Sequence, residues 1–148
     1  MTGSYPMSVD SKARITLPIN FRKELDSKAL KLVPYHGCVY GFTPEGFDNW
    51  MYGLFNSAGH EFNERSRRDE LFQRVLNSSA TDVEVDAAGR IALGKLDVAR
   101  PGRREELGLT GEVMVIGNGS HFEVWSQAAW EKTLEDFDLR FDELAYDD

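Results

Sequence analysis

The chain has a single cysteine, Cys38, among its 148 residues, so no internal disulfide can form. That suits a reducing compartment and excludes the small disulfide-stapled folds. Histidine is scarce as well, with His36, His60 and His121 far apart in sequence. His36 and Cys38 form the one close His/Cys pair, and a zinc site needs further ligands. No metal or cofactor is expected. No apolar run approaches the roughly 20 residues needed to span a bilayer. Met1-Thr2-Gly3-Ser4-Tyr5 also lacks the basic start and apolar core of a signal peptide. A cytoplasmic protein with no membrane partner is the expectation. Catalytic constellations are missing too. Gly117-Asn118-Gly119 lacks the strand-then-helix setting of a phosphate loop, and a hairpin turn explains it better. Neither enzyme activity nor a small-molecule substrate is expected.

Hydrophobic residues make up 41% of the chain and aromatic ones 11%, which describes a folded globular protein rather than a disordered one. The formal net charge of −8 argues against nucleic acid until the charges are located. Residues 131–148 carry eight acids against Lys132 and Arg140, a net −6, whereas residues 1–35 carry six bases against Asp10, Glu24 and Asp26, a net +3. The charge is polarised along the chain.

The strongest positive signal is a repeat. Asp10, Arg14, Ile15 and Leu17 recur as Asp86, Arg90, Ile91 and Leu93, all 76 residues on, and Met7 and Val9 recur as Val83 and Val85. Further along the spacing becomes 83: Leu30, Leu32 and Val33 match Val113, Val115 and Ile116, and Phe42 and Phe47 match Trp125 and Trp130. The match follows apolar positions, so one structural unit is written twice. The change of spacing leaves residues 94–100 as a seven-residue insert between a strand and a helix, where a loop tolerates extra residues, with Pro101 matching Pro18.

Each copy reads as strand, loop, strand, helix, hairpin, helix. Alternation around Asp10 and around Asp86 gives two short strands joined by a turn, which the aspartate suits as an acceptor for backbone N–H groups. Gly89 has easy access to positive φ, whereas Ala13 does not. Pro18 starts a short helix and Thr43 caps another, while Ser126 caps a third holding Trp130, Leu134, Phe137, Phe141 and Leu144 on one stripe. Phe141 and Leu144 suit contact with a neighbouring subunit. Residues 61–77 are expected to form a polar helix between the copies. Antiparallel pairing follows, giving an α+β fold, because no connection is long enough for repeated parallel crossovers.

The candidate site is the pair of Asp-x-x-x-Arg turns. A compact loop carrying Arg14 or Arg90 can enter a major groove and pair bidentately with guanine, while Lys12 and Ser11 hold phosphates. Equally, each Arg can simply pair with Asp10 or Asp86 across its own turn. Arg22 lies on the helix just after the first motif and can extend a phosphate-binding surface. The first loop has Ser11 and Lys12 beside its arginine and the second only Ala87 and Ala88, so Arg14 is expected to dominate binding and Arg90 to assist.

Tyr5-Pro6-x-x-x-Asp10-x-Lys12-x-Arg14-x-x-x-Pro18-x-x-Phe21-Arg22 and Asp86-x-x-Gly89-Arg90-Ile91, with Gly108-Leu109, Glu112-Val113, Phe122-Glu123-x-Trp125 and Trp130, resemble the MraZ family of bacterial transcriptional regulators. The resemblance implies two AbrB-like swapped-hairpin (SpoVT-AbrB) repeats joined as an intramolecular pseudo-dimer, with a small antiparallel barrel-like sheet and peripheral helices. The divisions it implies are repeat one at 3–50, a linking helical segment at 51–79, repeat two at 80–130 and an acidic C-terminal helix or tail at 131–148. It further implies a nucleoid-associated homo-oligomer, a ring, that binds double-stranded DNA at repeated promoter boxes of the division and cell-wall gene cluster, usually as a repressor. Asp10, Arg14, Asp86 and Arg90 take the family's DNA-binding positions. Ala13 stands where the family has glycine and Gly94 where it has proline. An AbrB-type antitoxin and a ring-forming scaffold with inert loops are the competing readings.

Overall fold

The computed structural model describes residues 1–141 and 143. Its elements run β1 (Ser4–Ser8), β2 (Arg14–Thr16), α1 (Ile19–Leu25), β3 (Ala29–Tyr35), β4 (Cys38–Phe42), α2 (Pro44–Phe55), α3 (Arg67–Ser79), β5 (Thr81–Glu84), β6 (Arg90–Ala92), α4 (Lys95–Ala99), α5 (Arg103–Leu107), β7 (Glu112–Asn118), β8 (His121–Ser126) and α6 (Gln127–Leu139). Local sequence explains most of the boundaries. The Thr43 hydroxyl accepts the Gly46 amide at 2.9 Å and the Ser126 hydroxyl accepts the Ala129 amide at 3.1 Å, so α2 and α6 start as matched helices. His36 and Gly37 both have positive φ, the requirement of the two-residue turn that joins β3 to β4.

Six strands form one mixed-order antiparallel sheet, β1-β7-β8-β4-β3-β5, and β2 and β6 form a separate antiparallel ribbon. The sheet is open, with β1 and β5 at its edges, and the ribbon roofs one of its faces rather than completing a closed barrel. The order is an exchange. β1, from the first copy, pairs with β7 of the second, while β5, from the second, pairs with β3 of the first. The ribbon takes one strand from each copy.

One apolar core lies between ribbon and sheet. Ile15, Leu17, Ile91 and Leu93 are at most 2% exposed and pack with Leu30, Leu32, Val113, Val115, Phe122 and Val124. Burial of each such aliphatic side chain contributes about 1.5–3 kcal/mol, so the ribbon is firmly seated. Gly41 lies opposite Phe122, and a methyl there would meet the ring at 2.1 Å. The other face of the β3–β4 half is covered by α2, which buries Phe47, Met51 and Phe55, and by α3, which adds Leu76. On the equivalent β7–β8 half, α6 has no fully buried residue; Leu134 is 45% and Phe137 41% exposed. The second copy has no counterpart of α3 among the described residues.

Four expectations need correction. The helix expected at 61–77 starts only at Arg67, because side chains hold the preceding segment in a loop. The Asn63 amide donates to Asp69 Oδ2 at 3.1 Å, the Arg65 amide to Asn63 Oδ1 at 3.0 Å, and Ser66 caps the helix. The insert at 94–100 contains a helix of its own, α4, since Leu96 belongs to the main core at 2% exposure. Pro18 is the N-cap of α1, one residue before the helix. Ala13 adopts positive φ, 60°, and so takes the backbone shape that Gly89 takes at 79°. Leu144 lies outside the described residues.

Candidate nucleic-acid interface

Each Asp-x-x-x-Arg segment is wound around its aspartate. Asp10 Oδ1 accepts the amides of Lys12 (3.0 Å) and Arg14 (2.8 Å), and its Oδ2 accepts Arg14 Nε (2.9 Å). Asp86 repeats this with Ala88 (3.0 Å), Arg90 (2.8 Å) and Arg90 Nε (2.9 Å). The backbone agrees as well: Ala13 and Gly89 donate to the Asp10 and Asp86 carbonyls, and both aspartate amides donate back to the arginine carbonyls. The Arg14 and Arg90 backbone amides, assisted by their guanidinium groups, hold both carboxyls below the usual carboxylate range. The aspartates therefore stay ionised throughout the physiological range.

The intra-turn Asp–Arg pairing thus exists in both copies, yet it occupies only one edge of each guanidinium. Among the described residues the Nη nitrogens of Arg14 and Arg90 have no hydrogen-bond partner, and the side chains are 26% and 35% exposed. The carboxylate orients the group through Nε and leaves the two-pronged Nη end free to take another acceptor.

The ribbon sets where those prongs point. Arg14 pairs with Ala92, Ile15 with Ile91 and Thr16 with Arg90. Opposite residues share a face and successive ones alternate. Ile15 and Ile91 face the core, so Arg14, Thr16, Arg90 and Ala92 form the outer face. Arg14 and Arg90 are diagonal neighbours on it, about 7–8 Å apart between Cα atoms. Lys12 and Ser11 are exposed on the first loop.

Arg22 is elsewhere than expected. Its Nε donates to the Leu17 carbonyl at 3.2 Å, and its guanidinium lies against Gly89, where a Cβ would come within 2.5 Å of Arg22 Cζ and Nη1. It therefore belongs beside the second loop, not beside Ser11 and Lys12. The sequence held no sign of this, because the contact exists only through the pairing of β2 with β6. The two loops are stitched together by reciprocal bonds, Leu17 N–H to the Gly89 carbonyl (2.9 Å) and Leu93 N–H to the Ala13 carbonyl (2.8 Å).

A second polar cluster, also unforeseen, lies within the sheet. Glu123 is 4% exposed and accepts from Asn118 Nδ2, His121 Nε2 and Trp125 Nε1, each at 2.8 Å. Burial raises its pKa, but these donors outweigh burial and hold it below the ordinary value. A charged residue inside the apolar run Phe122–Trp125 was the available signal. Burial, helped by the Glu123 charge, pushes Tyr40 up to about 12 and raises Cys38, so neither ionises near neutral pH. Among the described residues no group of three or more His, Cys, Asp or Glu side chains could hold a metal ion, and no helix is long and apolar enough to cross a membrane.

Two matched guanidinium groups thus sit on the outer face of a ribbon that the core backs. Comparison with known proteins identifies the lineage. A family model described as MraZ protein matches residues 76–145. The transcriptional regulator MraZ of Kocuria rhizophila is 33% identical over 141 residues, covering 95% of this chain and 91% of that protein. That of Coxiella burnetii (strain Dugway 5J108-111) is 32% identical over 91% of this chain and 85% of its own length. That of Alkaliphilus oremlandii is 29% identical over 97% and 92%. The chain belongs to the MraZ family, which is not a family of enzymes.

Proposed function

We propose that the chain is a sequence-specific DNA-binding transcriptional regulator whose β2–β6 ribbon reads base edges in the major groove. The observation that carries this is the pair of guanidinium groups on the ribbon's outer face, each held through Nε by its own aspartate with no hydrogen bond to its Nη groups among the described residues. A major groove about 12 Å wide admits a two-stranded ribbon, and an arginine fork fits guanine O6 and N7. A diagonal spacing of about 7–8 Å corresponds to roughly two base-pair steps. Arg14 and Arg90 read bases, Asp10 and Asp86 orient them, and Lys12, Ser11 and Arg22 hold phosphates.

In this reading the chain is two AbrB-like swapped-hairpin repeats, at 3–50 and 80–130, forming a pseudo-dimer with a linking segment at 51–79 and an acidic end at 131–148. The exchange of β1 and β5 between the halves supports that arrangement. The regulator acts in the cytoplasm at the nucleoid, as a ring-shaped homo-oligomer on repeated promoter boxes of the division and cell-wall cluster. The uncovered apolar side of α6 supports subunit contact. Several weak loops on one assembly would gain affinity through effective concentration, and the acidic chain would keep nonspecific attraction low.

The test is a titration of the duplex upstream of the protein's own gene. Arg14→Ala and Arg90→Ala should each weaken binding by about 1–3 kcal/mol, the value of a bidentate base contact, with unchanged circular dichroism. Wild-type affinity in both single variants and in the double variant would refute base reading by these loops.

A further inference from the structure

We infer that Arg22, carried by the first half of the chain, is the phosphate-binding cation of the second loop, where Gly89 makes room for it. This rests on the DNA-binding reading above and adds a composite site to it. Gly89 is buried on a loop whose neighbours Ala87 and Ala88 are exposed, and the side chain that covers it is Arg22. Leu17 holds both partners: its N–H donates to the Gly89 carbonyl and its carbonyl accepts from Arg22 Nε. Among the described residues no carboxylate pairs with Arg22, and no hydrogen bond engages its Nη nitrogens.

Among the described residues no side-chain hydrogen bond brings a cation of the second half to the first loop. Its equivalent of Gly89 is Ala13, whose methyl faces Gly94, and the residue matched to Arg22 at the 83-residue spacing is Glu105. In sequence the loops are therefore unequal, because Asp10, Lys12 and Arg14 sum to +1 whereas Asp86 and Arg90 sum to zero. In space the deficit disappears, since Arg22 brings the second loop to +1 as well. Arg22 stands in for the lysine that the second loop lacks. The two arginine readers thus each have one accompanying cation, which removes the reason for expecting Arg14 to dominate.

The experiment measures binding of the full chain to the duplex upstream of its own gene and to a shuffled duplex of equal length, across a salt series. Arg22→Gln should lower affinity for both duplexes by about fivefold per lost contact near physiological salt, and reduce the slope of log K against log salt by about 0.9. Lys12→Gln should do the same, and Arg22→Lys should restore the slope. Gly89→Ala should match Arg22→Gln and add nothing in the double variant, because its methyl displaces the guanidinium. The loop itself accommodates alanine, as Ala13 does at φ 60°. Thermal melting and circular dichroism confirm folding of each variant. If Arg22→Gln keeps wild-type affinity and slope while Arg14→Gln or Arg90→Gln loses binding, the inference fails and base reading stands. A loss of affinity with an unchanged slope makes Arg22 a brace only and also overturns it. If Arg14→Gln and Arg90→Gln bind as wild type, the DNA-binding reading fails and the inference with it.

Discussion

Replacing Ala13 by glycine isolates the cost of holding an alanine in left-handed backbone. Ala13 has φ 60° and its turn matches that around Gly89, which has φ 79°. An L-residue in that region costs about 1–2 kcal/mol. Against this relief stand about 0.4–1 kcal/mol of extra unfolded-state freedom for glycine and a few tenths of a kcal/mol for a half-buried methyl. The methyl lies in open contact, since even a side chain on Gly94 would come no nearer than 3.5 Å. The net expectation for Ala13→Gly is a small gain, about 0.5 kcal/mol. Ala88→Gly is the internal control, because Ala88 occupies the other loop with ordinary negative φ and should lose about 0.4–1 kcal/mol. The glycine entropy cancels between the two, so the difference, about 1–2 kcal/mol in favour of Ala13→Gly, reports the backbone strain less the few tenths of a kcal/mol for the half-buried Ala13 methyl. Urea unfolding followed by tryptophan fluorescence measures both, with equal m-values confirming a common unfolded state. If Ala13→Gly costs as much as Ala88→Gly, the left-handed assignment at Ala13 is wrong.

Glu123→Ala strands the three donors that converge on that buried carboxylate and should destabilise the fold by about 3 kcal/mol or more; Glu123→Gln, which keeps an acceptor, should cost clearly less. A loss below about 0.5 kcal/mol for the alanine variant in chemical denaturation would refute the buried network. Phe137→Ser should lower the oligomeric mass measured by light scattering while leaving the far-UV circular dichroism unchanged, since the ring is 41% exposed within a single chain and its loss leaves that chain's own core intact. An unchanged mass would place the subunit contact elsewhere than on α6.

Much of this molecule was legible in its sequence. The helix caps at Thr43 and Ser126 work through local hydrogen bonds, and the Asp10 and Asp86 turns likewise need only their own neighbours. Their chemistry is contained in a few adjacent residues, so a pattern suffices. Pairing is another matter. Nothing near Arg22 indicates Gly89 as its partner, because β2 finds β6 across most of the chain. The late start of α3 escaped for a related reason: the charged run before Arg67 reads as helix until Asn63 and Asp69 capture its amides. The helix in the insert escaped because Leu96 and Val98 give no helical period, and only Leu96 is drawn into the core while Val98 stays 81% exposed.

The exchange of outer strands bears on how the protein comes into being. Ser4 finds its partner in Ile116, so β1 leaves the ribosome with no strand to pair with until most of the chain has followed. Meanwhile the β3–β4 hairpin and α2 can form, but the outer side of β3 waits for β5. Pro6 within β1 cannot donate a ladder hydrogen bond, which discourages a wrong partner during that interval. A polypeptide cut between the two copies would retain its helices and hairpin and still lack a complete sheet and any ribbon. The outer face of the ribbon therefore exists only once both halves have been made, and a truncated product would carry one arginine turn with nothing to hold it against its twin.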